Sequence, residues 1–269
     1  MIEKILFPVE FSSACAAMAG FVKRAAEMFG SRVTLVHVCN LTRNNGFELI
    51  ARTMREVAED HQAVAEDQLK SFLESEFPAD RCSRVLRFGE AAAEVAELAR
   101  TGGFDLIIMP THASRFRRML LGSTTAKVLN DADCPVMTTQ HAEAVIPRTL
   151  KHRVWVCGIG LNQDSGRVLR VAGQAAEEAG AKLVVVHATP EVAEANARQR
   201  LYELIATVAC RVETRIAVGE VKQALLAEAC RWAADALIVG RAPRTGALGR
   251  MRDLTYSLVR DSPFPVLSV

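Results

Sequence analysis

Short, unbroken apolar runs alternate along this chain with longer stretches whose apolar residues fall three or four positions apart. Ile5-Leu6-Phe7-Pro8-Val9 is the first run, and Glu10-Phe11-Ser12-Ser13 after it offers helix-capping side chains. Residues 13–29 then carry Ala17, Phe21, Ala25 and Met28 at helical spacing, and Gly30 supplies the stop. Val33-Thr34-Leu35-Val36-His37-Val38 is β-branched and apolar almost throughout, as a strand covered on both faces must be. A charged segment with helical periodicity follows over about 44–77. The pattern then predicts a strand at 84–88, a helix at 90–101, a strand at 105–109, a helix at 117–131 and a strand at 135–139. Further strands are expected near 153–159, 183–188, 211–217, 235–239 and 265–268. Strands alternating with helices predict an α/β fold, a parallel sheet with helices on both faces.

The pattern occurs twice. At an offset of 150, Ile5-Leu6-Phe7-Pro8-Val9 lies on Trp155-Val156-Cys157-Gly158-Ile159. Ala25-Ala26-Glu27 lies on Ala175-Ala176-Glu177, Gly30 on Gly180, and Val36-His37 on Val186-His187. Later the offset is 130: Gly89-Glu90 lies on Gly219-Glu220, Asp105 on Asp235, and Pro135-Val136 on Pro265-Val266. The change of offset means that the second copy lacks about 20 residues in mid-unit. Order and constant spacing together make a duplication. The stretch from Gln140 to Arg153, with Pro147 and several charges, is the expected linker between domains at 1–142 and 150–269. Each is long enough for its own core.

Composition narrows the classes of function. Hydrophobic residues make up 50% of the 269 and charged residues 24%, so there is ample apolar surface to offset chain entropy. The 33 basic and 31 acidic residues nearly cancel, and aromatics are only 6%. That argues against nucleic acid as a partner, for want of both charge and stacking surface. No apolar run reaches the roughly 18 residues a membrane span requires. The N-terminus enters a strand-like run without a basic region and a long apolar stretch, so a cytoplasmic location is expected. Seven scattered cysteines without a CxxC pair suggest reduced, buried thiols rather than zinc or disulfides.

These motifs resemble the universal stress protein family in its tandem form. The carriers are Lys4-Ile5-Leu6-Phe7-Pro8-Val9-Glu10, the Val33–Val38 strand, Gly89-Glu90, and Phe104-Asp105-Leu106-Ile107-Ile108-Met109. The most specific stretch runs from Thr111-His112 through Leu120-Leu121-Gly122-Ser123-Thr124-Thr125 to Cys134-Pro135-Val136. The resemblance implies two Rossmann-like domains of the adenine nucleotide alpha-hydrolase type. Each would be a five-stranded parallel sheet of order 3-2-1-4-5. Pairing through the last strands would make an internal pseudo-dimer, with a homodimer of chains beyond it. It implies a non-catalytic stress-response or signalling module with an adenine-nucleotide (ATP) site in the first domain. Val9, Glu10 and Val38 would then hold adenine and ribose, Met109 would line the cleft, and His112, Gly122, Ser123, Thr124 and Thr125 would hold phosphates.

The phosphate loop of many relatives is G-x-x-G, nine residues, then G-[ST]. Glycines let main-chain N–H groups approach phosphate, and the closing Gly-Ser opens a helix whose free N–H groups favour an anion. Here Pro110 and Ala113 replace the two leading glycines, and the spacer to Gly122 is one residue short. Proline has no N–H to donate, and alanine adds a Cβ. Ser123 therefore has two readings, helix N-cap or phosphate contact. His112 is either a ligand contact or a solvated loop histidine, and Arg115, Arg117 and Arg118 either neutralise a polyphosphate or lie in solvent. In the second domain Gly240-Arg241-Ala242-Pro243 and Arg252-Asp253 stand in for the loop, and Gly160 lies where Glu10 does. That site is expected to be degenerate, since a carboxylate there repels phosphate. His37 and His187 recur near strand ends, which points to packing and backbone bonding. No Ser/His/Asp set, HExxH or lysine-bearing P-loop occurs. The rival readings are a slow nucleotide hydrolase, and a structural interaction module using the 44–77 helix and no nucleotide.

Overall fold

The computed structural model describes residues 1–39, 62–111, 121–140, 153–189, 194–206, 212–241 and 249–269. In the first half the elements are β1 (Lys4–Pro8), α1 (Ser13–Phe29), β2 (Arg32–Cys39), α2 (described over 62–71), β3 (Cys82–Phe88) and α3 (Ala91–Thr101), followed by β4 (Leu106–Pro110), α4 (Ser123–Asp131) and β5 (Val136–Thr139). In the second they are β6 (Val154–Gly158), α5 (Ser165–Glu178), β7 (Lys182–Thr189), α6 (Glu194–Ile205) and β8 (Val212–Val218), then α7 (Val221–Arg231), β9 (Ala236–Val239), α8 (Gly249–Asp261) and β10 (Val266–Ser268).

All ten strands join one sheet, ordered β3-β2-β1-β4-β5-β10-β9-β6-β7-β8. The pairs within each half are parallel, and β5 meets β10 antiparallel. The α/β sandwich expected from the alternating pattern is present. Its strands read as unbroken apolar runs because both faces are covered. In β1, Ile5 and Phe7 point to the face covered by α1 and α5, whereas Leu6 points to the face covered by α3, α4 and α7. Trp155 and Cys157 divide from Val156 in the same way in β6.

Local signals end the elements where the sequence places them. Ser12 caps α1 by accepting from the Cys15 N–H, and Gly30 closes it at φ 66°. Glu90 and Glu220 cap α3 and α7 by accepting from first-turn N–H groups. Asp105 Oδ2 accepts from the N–H groups of Glu3 and Lys4 at 2.9 Å each. Asp235 Oδ2 does the same for Arg153 and Val154 at 2.6 and 3.0 Å. The uncommon backbone conformations recur at the sequence offsets: Phe11 with Leu161 (φ 60° and 51°), Gly89 with Gly219 (145° and 143°), and Gly103 with Ala233 (62° and 49°).

Several expected boundaries shift. The charged segment is helical over the described 62–71 and then turns, with Leu73 at φ 53°, so the helix stops short of 77. Arg84 holds that end, its guanidinium donating to the carbonyls of Leu69 and Phe77 at 2.8 Å. The fourth strand runs Leu106–Pro110, one residue later than expected. Asp105 is held outside it as the anchor for β1. The helix expected from 117 starts at Ser123 among the described residues, and most of the linker lies outside them. Cys15, Cys82 and Cys157 are buried thiols as expected, whereas Cys230 is exposed.

Candidate functional site

Strand order reverses between β1 and β4 and again between β6 and β9, since β1 lies between β2 and β4, and β6 between β7 and β9. Crossovers leave in opposite directions at such a point, which opens a crevice at the strands' carboxyl ends. Most of the candidate residues of the first half gather there. Val9 and Glu10 follow β1, Val38 is the last residue but one of β2, Met109 lies in β4, and Gly122 to Thr125 open α4. Val9 and Met109 are buried, Val38 is half-buried, and Glu10 and Ser123 are exposed. His112, Ala113, Arg115, Arg117 and Arg118 lie outside the described residues.

The four residues at the start of α4 do different things. Gly122 is the N-cap, with no side-chain bond to the first-turn N–H groups. Ser123 is thus not the cap but the first helical residue, because Gly122 N–H is already bound to the Thr111 carbonyl at 2.9 Å and sets the entry of the chain. Thr125 is buried and donates its hydroxyl to the Pro110 carbonyl at 3.1 Å. It ties α4 to β4, which leaves Ser123 and Thr124 as the hydroxyls available to a ligand. Beside the cleft, Phe11 holds a left-handed backbone and lays its ring against His37, 4.3 Å between centroids. A bulky residue at positive φ is strained, and such strain collects at ligand clefts. His37 Nδ1 bonds the Val9 carbonyl at 2.8 Å, and His187 Nδ1 bonds the Ile159 carbonyl at 2.8 Å. Both histidines therefore pin the chain leaving the first strand of their half.

The second half holds a cavity of about 280 Å³ at its own switch point. The ends of β6, β7 and β9 and the start of α5 line it, together with Leu254, Thr255 and Leu258 of α8. Thr255 donates to the Gly240 carbonyl at 3.1 Å, repeating Thr125. The rest of the phosphate region is rebuilt. Helix α8 begins at Gly249, about a turn before the position matching Ser123, so Arg252 and Asp253 lie within the helix and not at its opening. Arg241 lines the cavity and reaches with its guanidinium to the first half. Its guanidinium donates to the carbonyls of Leu129, Ala132 and Cys134 at 3.0, 2.9 and 2.8 Å, capping the end of α4. Burial pulls the Arg241 pKa down and pushes the neighbouring Cys134 thiol up to about 11.

Sequence reasoning missed the roles of Asn162, Asp164, Ser165 and Arg241. The first three fall in the turn after β6, which the repeat aligns with the capping turn before α1, so only that alignment pointed to them. For Arg241 no linear signal exists, because its partners lie more than 100 residues away. Among the described residues there is no group of His, Cys, Asp and Glu that could hold a metal ion, and no helix long and apolar enough to cross a membrane.

An open, mainly parallel α/β sheet with crevices at its switch points defines a doubly wound α/β architecture. A model described as the universal stress protein family matches residues 1–140, and the chain belongs to that family. Universal stress protein G of Escherichia coli O157:H7 is 29% identical over 110 residues, 40% of this chain and 77% of that protein. Universal stress protein MJ0577 of Methanocaldococcus jannaschii is 23% identical over 155 residues, 52% of this chain and 96% of that protein. Among solved structures, a universal stress protein from Archaeoglobus fulgidus is similar in fold over 100% of this chain and 96% of its own, at 21% identity and a TM-score of 0.74. A second model, described as dihydrouridine synthase, matches residues 121–246. That span takes in α4 and β5 of the first half and stops before α8 and β10, so its bounds follow no set of paired strands.

Proposed function

We propose that the chain is a tandem universal stress protein of two domains, 1–142 and 150–269. Each is a sheet of order 3-2-1-4-5, and the two are joined through their last strands as an internal pseudo-dimer. The protein acts as a non-catalytic stress-response or signalling module. Its first cleft takes an adenine nucleotide and its second does not. The observation that carries this reading is the opening of α4. Gly122 leaves the first-turn N–H groups without a side-chain cap, beside the exposed Ser123 hydroxyl and next to the crevice between β1 and β4. Helix N–H groups at a switch point are what a phosphate requires. Val9, Val38 and Met109 supply apolar walls for a base, and Glu10 an acceptor for a ribose hydroxyl.

Calorimetric titration of the full chain with ATP tests this reading. One site per chain is expected, weakened at least tenfold by Ser123→Asp, which places a carboxylate where phosphate would lie. Two sites per chain would overturn the reading of the second domain, and none would overturn the nucleotide.

A second reading is an enzyme; the dihydrouridine-synthase match over 121–246 favours enzymatic activity as such and not hydrolysis. The hydrolase form of that reading, a slow nucleotide hydrolase, would lose turnover with Glu10→Ala or Ser123→Ala. A chain that carries no nucleotide by mass spectrometry yet self-associates stably on sizing would instead be a structural module.

A further inference from the structure

We infer that the second-half cleft is a binding site for a small, uncharged, mainly apolar molecule that gives a hydrogen bond to His187. The cavity measures about 280 Å³. Pockets for drug-sized ligands run from roughly 300 Å³ upward, so the occupant is small, about two or three aromatic rings at most. Its walls include Ile159, Val168, Ala188, Leu225, Val239 and Leu258. Leu254 lines it at the position where the first half has Thr124, so a hydroxyl has been exchanged for an apolar side chain.

Most polar groups at the rim are committed to the protein. Ser165 donates its hydroxyl to Asn162 Oδ1 at 3.0 Å and accepts from the Asn162 N–H at 2.9 Å. Thr255 Oγ1 is bound to the Gly240 carbonyl. Arg241 lines the cavity, and its guanidinium donates to the carbonyls of Leu129, Ala132 and Cys134. Asp164, the N-cap of α5, adds a negative group to the lining. Among the described lining residues a polyphosphate would meet the Asp164 carboxylate and no uncommitted guanidinium, which costs an anion heavily in a partly desolvated site.

His187 supplies the directional contact. Its Nδ1 lies 2.8 Å from the Ile159 carbonyl, which can only accept, so Nδ1 carries the hydrogen. In the neutral ring Nε2 is then an acceptor, and His187 is one of the residues that line the cavity. An apolar molecule with one N–H or O–H group matches that arrangement.

The probe is N-phenyl-1-naphthylamine, a neutral aromatic amine whose fluorescence rises in apolar surroundings. The full chain is expected to bind one per chain with micromolar affinity, and saturating ATP is expected to leave it in place. Ala188→Phe fills the cavity and should abolish the signal. Leu254→Trp, at the half-buried rim, serves the same purpose if the first variant melts early. His187→Asn keeps a donor for the Ile159 carbonyl but lacks Nε2, and should weaken the probe about fivefold. No fluorescence rise, unchanged binding by both folded cavity-filling variants, or displacement by ATP would overturn the inference. Failure of ATP to bind the first half would not touch it.

Discussion

Tyr256 donates its hydroxyl hydrogen to the main-chain oxygen of Ala126 at 3.0 Å, and these two residues occupy the same place in the repeat, 130 positions apart. Contacts between equivalent positions arise only near an axis relating two copies. The strands agree: where β5 meets β10, Met137 pairs with Leu267, again its own counterpart. Both contacts support the internal pseudo-dimer proposed above, joined near the middle of the sheet. Arg241 and Tyr256 of the second half both reach α4 of the first, Arg241 at its end and Tyr256 near its start.

Arg241 is expected to matter to the whole molecule. Arg241→Ala removes three donors from the end of α4 and leaves part-buried carbonyls without them, a loss of about 2–3 kcal/mol. Arg241→Lys, with a single ammonium on a shorter reach, should recover less than half of that. Urea denaturation followed by far-UV circular dichroism measures both. A loss below about 0.5 kcal/mol would mean that the α4 carbonyls find water instead.

Gly103 and Ala233 occupy the same turn, and both hold positive φ, 62° and 49°. Nothing stands within 4 Å of a Cβ built at Gly103, so only the backbone conformation separates glycine from alanine there. Ala233→Gly should therefore stabilise the protein by about 0.5–1 kcal/mol, and Gly103→Ala should destabilise it by a similar amount. Opposite shifts in melting temperature are the expected outcome.

Asp235 is 4% exposed and accepts from two main-chain N–H groups at the start of β6. Asp235→Ala leaves both without that acceptor and should cost about 2–3 kcal/mol. The same change at half-exposed Asp105, where water can replace the carboxylate, should cost about 1 kcal/mol. Chemical denaturation of the two variants side by side reads the difference.

Asp261 joins the end of α8 to Arg260 and to Lys222 at the start of α7. The Arg260 hydrogen bond, followed by that from Lys222, holds its carboxyl pKa down at about 2, below an ordinary 3.8. A depressed carboxylate pKa stabilises the fold above the unfolded value and loses that contribution as protons bind. Stability should therefore fall between about pH 4 and pH 2, by about 1 kcal/mol after solvent screening. Asp261→Asn should remove that share of the acid sensitivity in melting curves taken across the same range.

Much of this architecture was written in linear form. The strands are legible because burial on both faces leaves no room for polar residues, as Ile5 to Phe7 and Leu183 to Val186 show. The duplication is legible because caps and turns need particular residues at fixed spacing, as with Gly89-Glu90 and Gly219-Glu220. The start of α4 was misplaced because helical periodicity cannot distinguish a helix from the chain that leads into it; the bond from Gly122 to Thr111 made that distinction.

The candidate site divides along the same line. Local chemistry, read from residue types alone, identified the altered phosphate loop and the missing glycines. Three facts arise only once distant segments meet: Thr125 is spent on Pro110, Arg241 on α4, and an apolar cavity opens behind Gly160. Periodicity and capping are local energies, and a single strand of text records them. The direction a guanidinium takes depends on neighbours more than a hundred residues away, and the space left between packed helices depends on segments spread over 158–258.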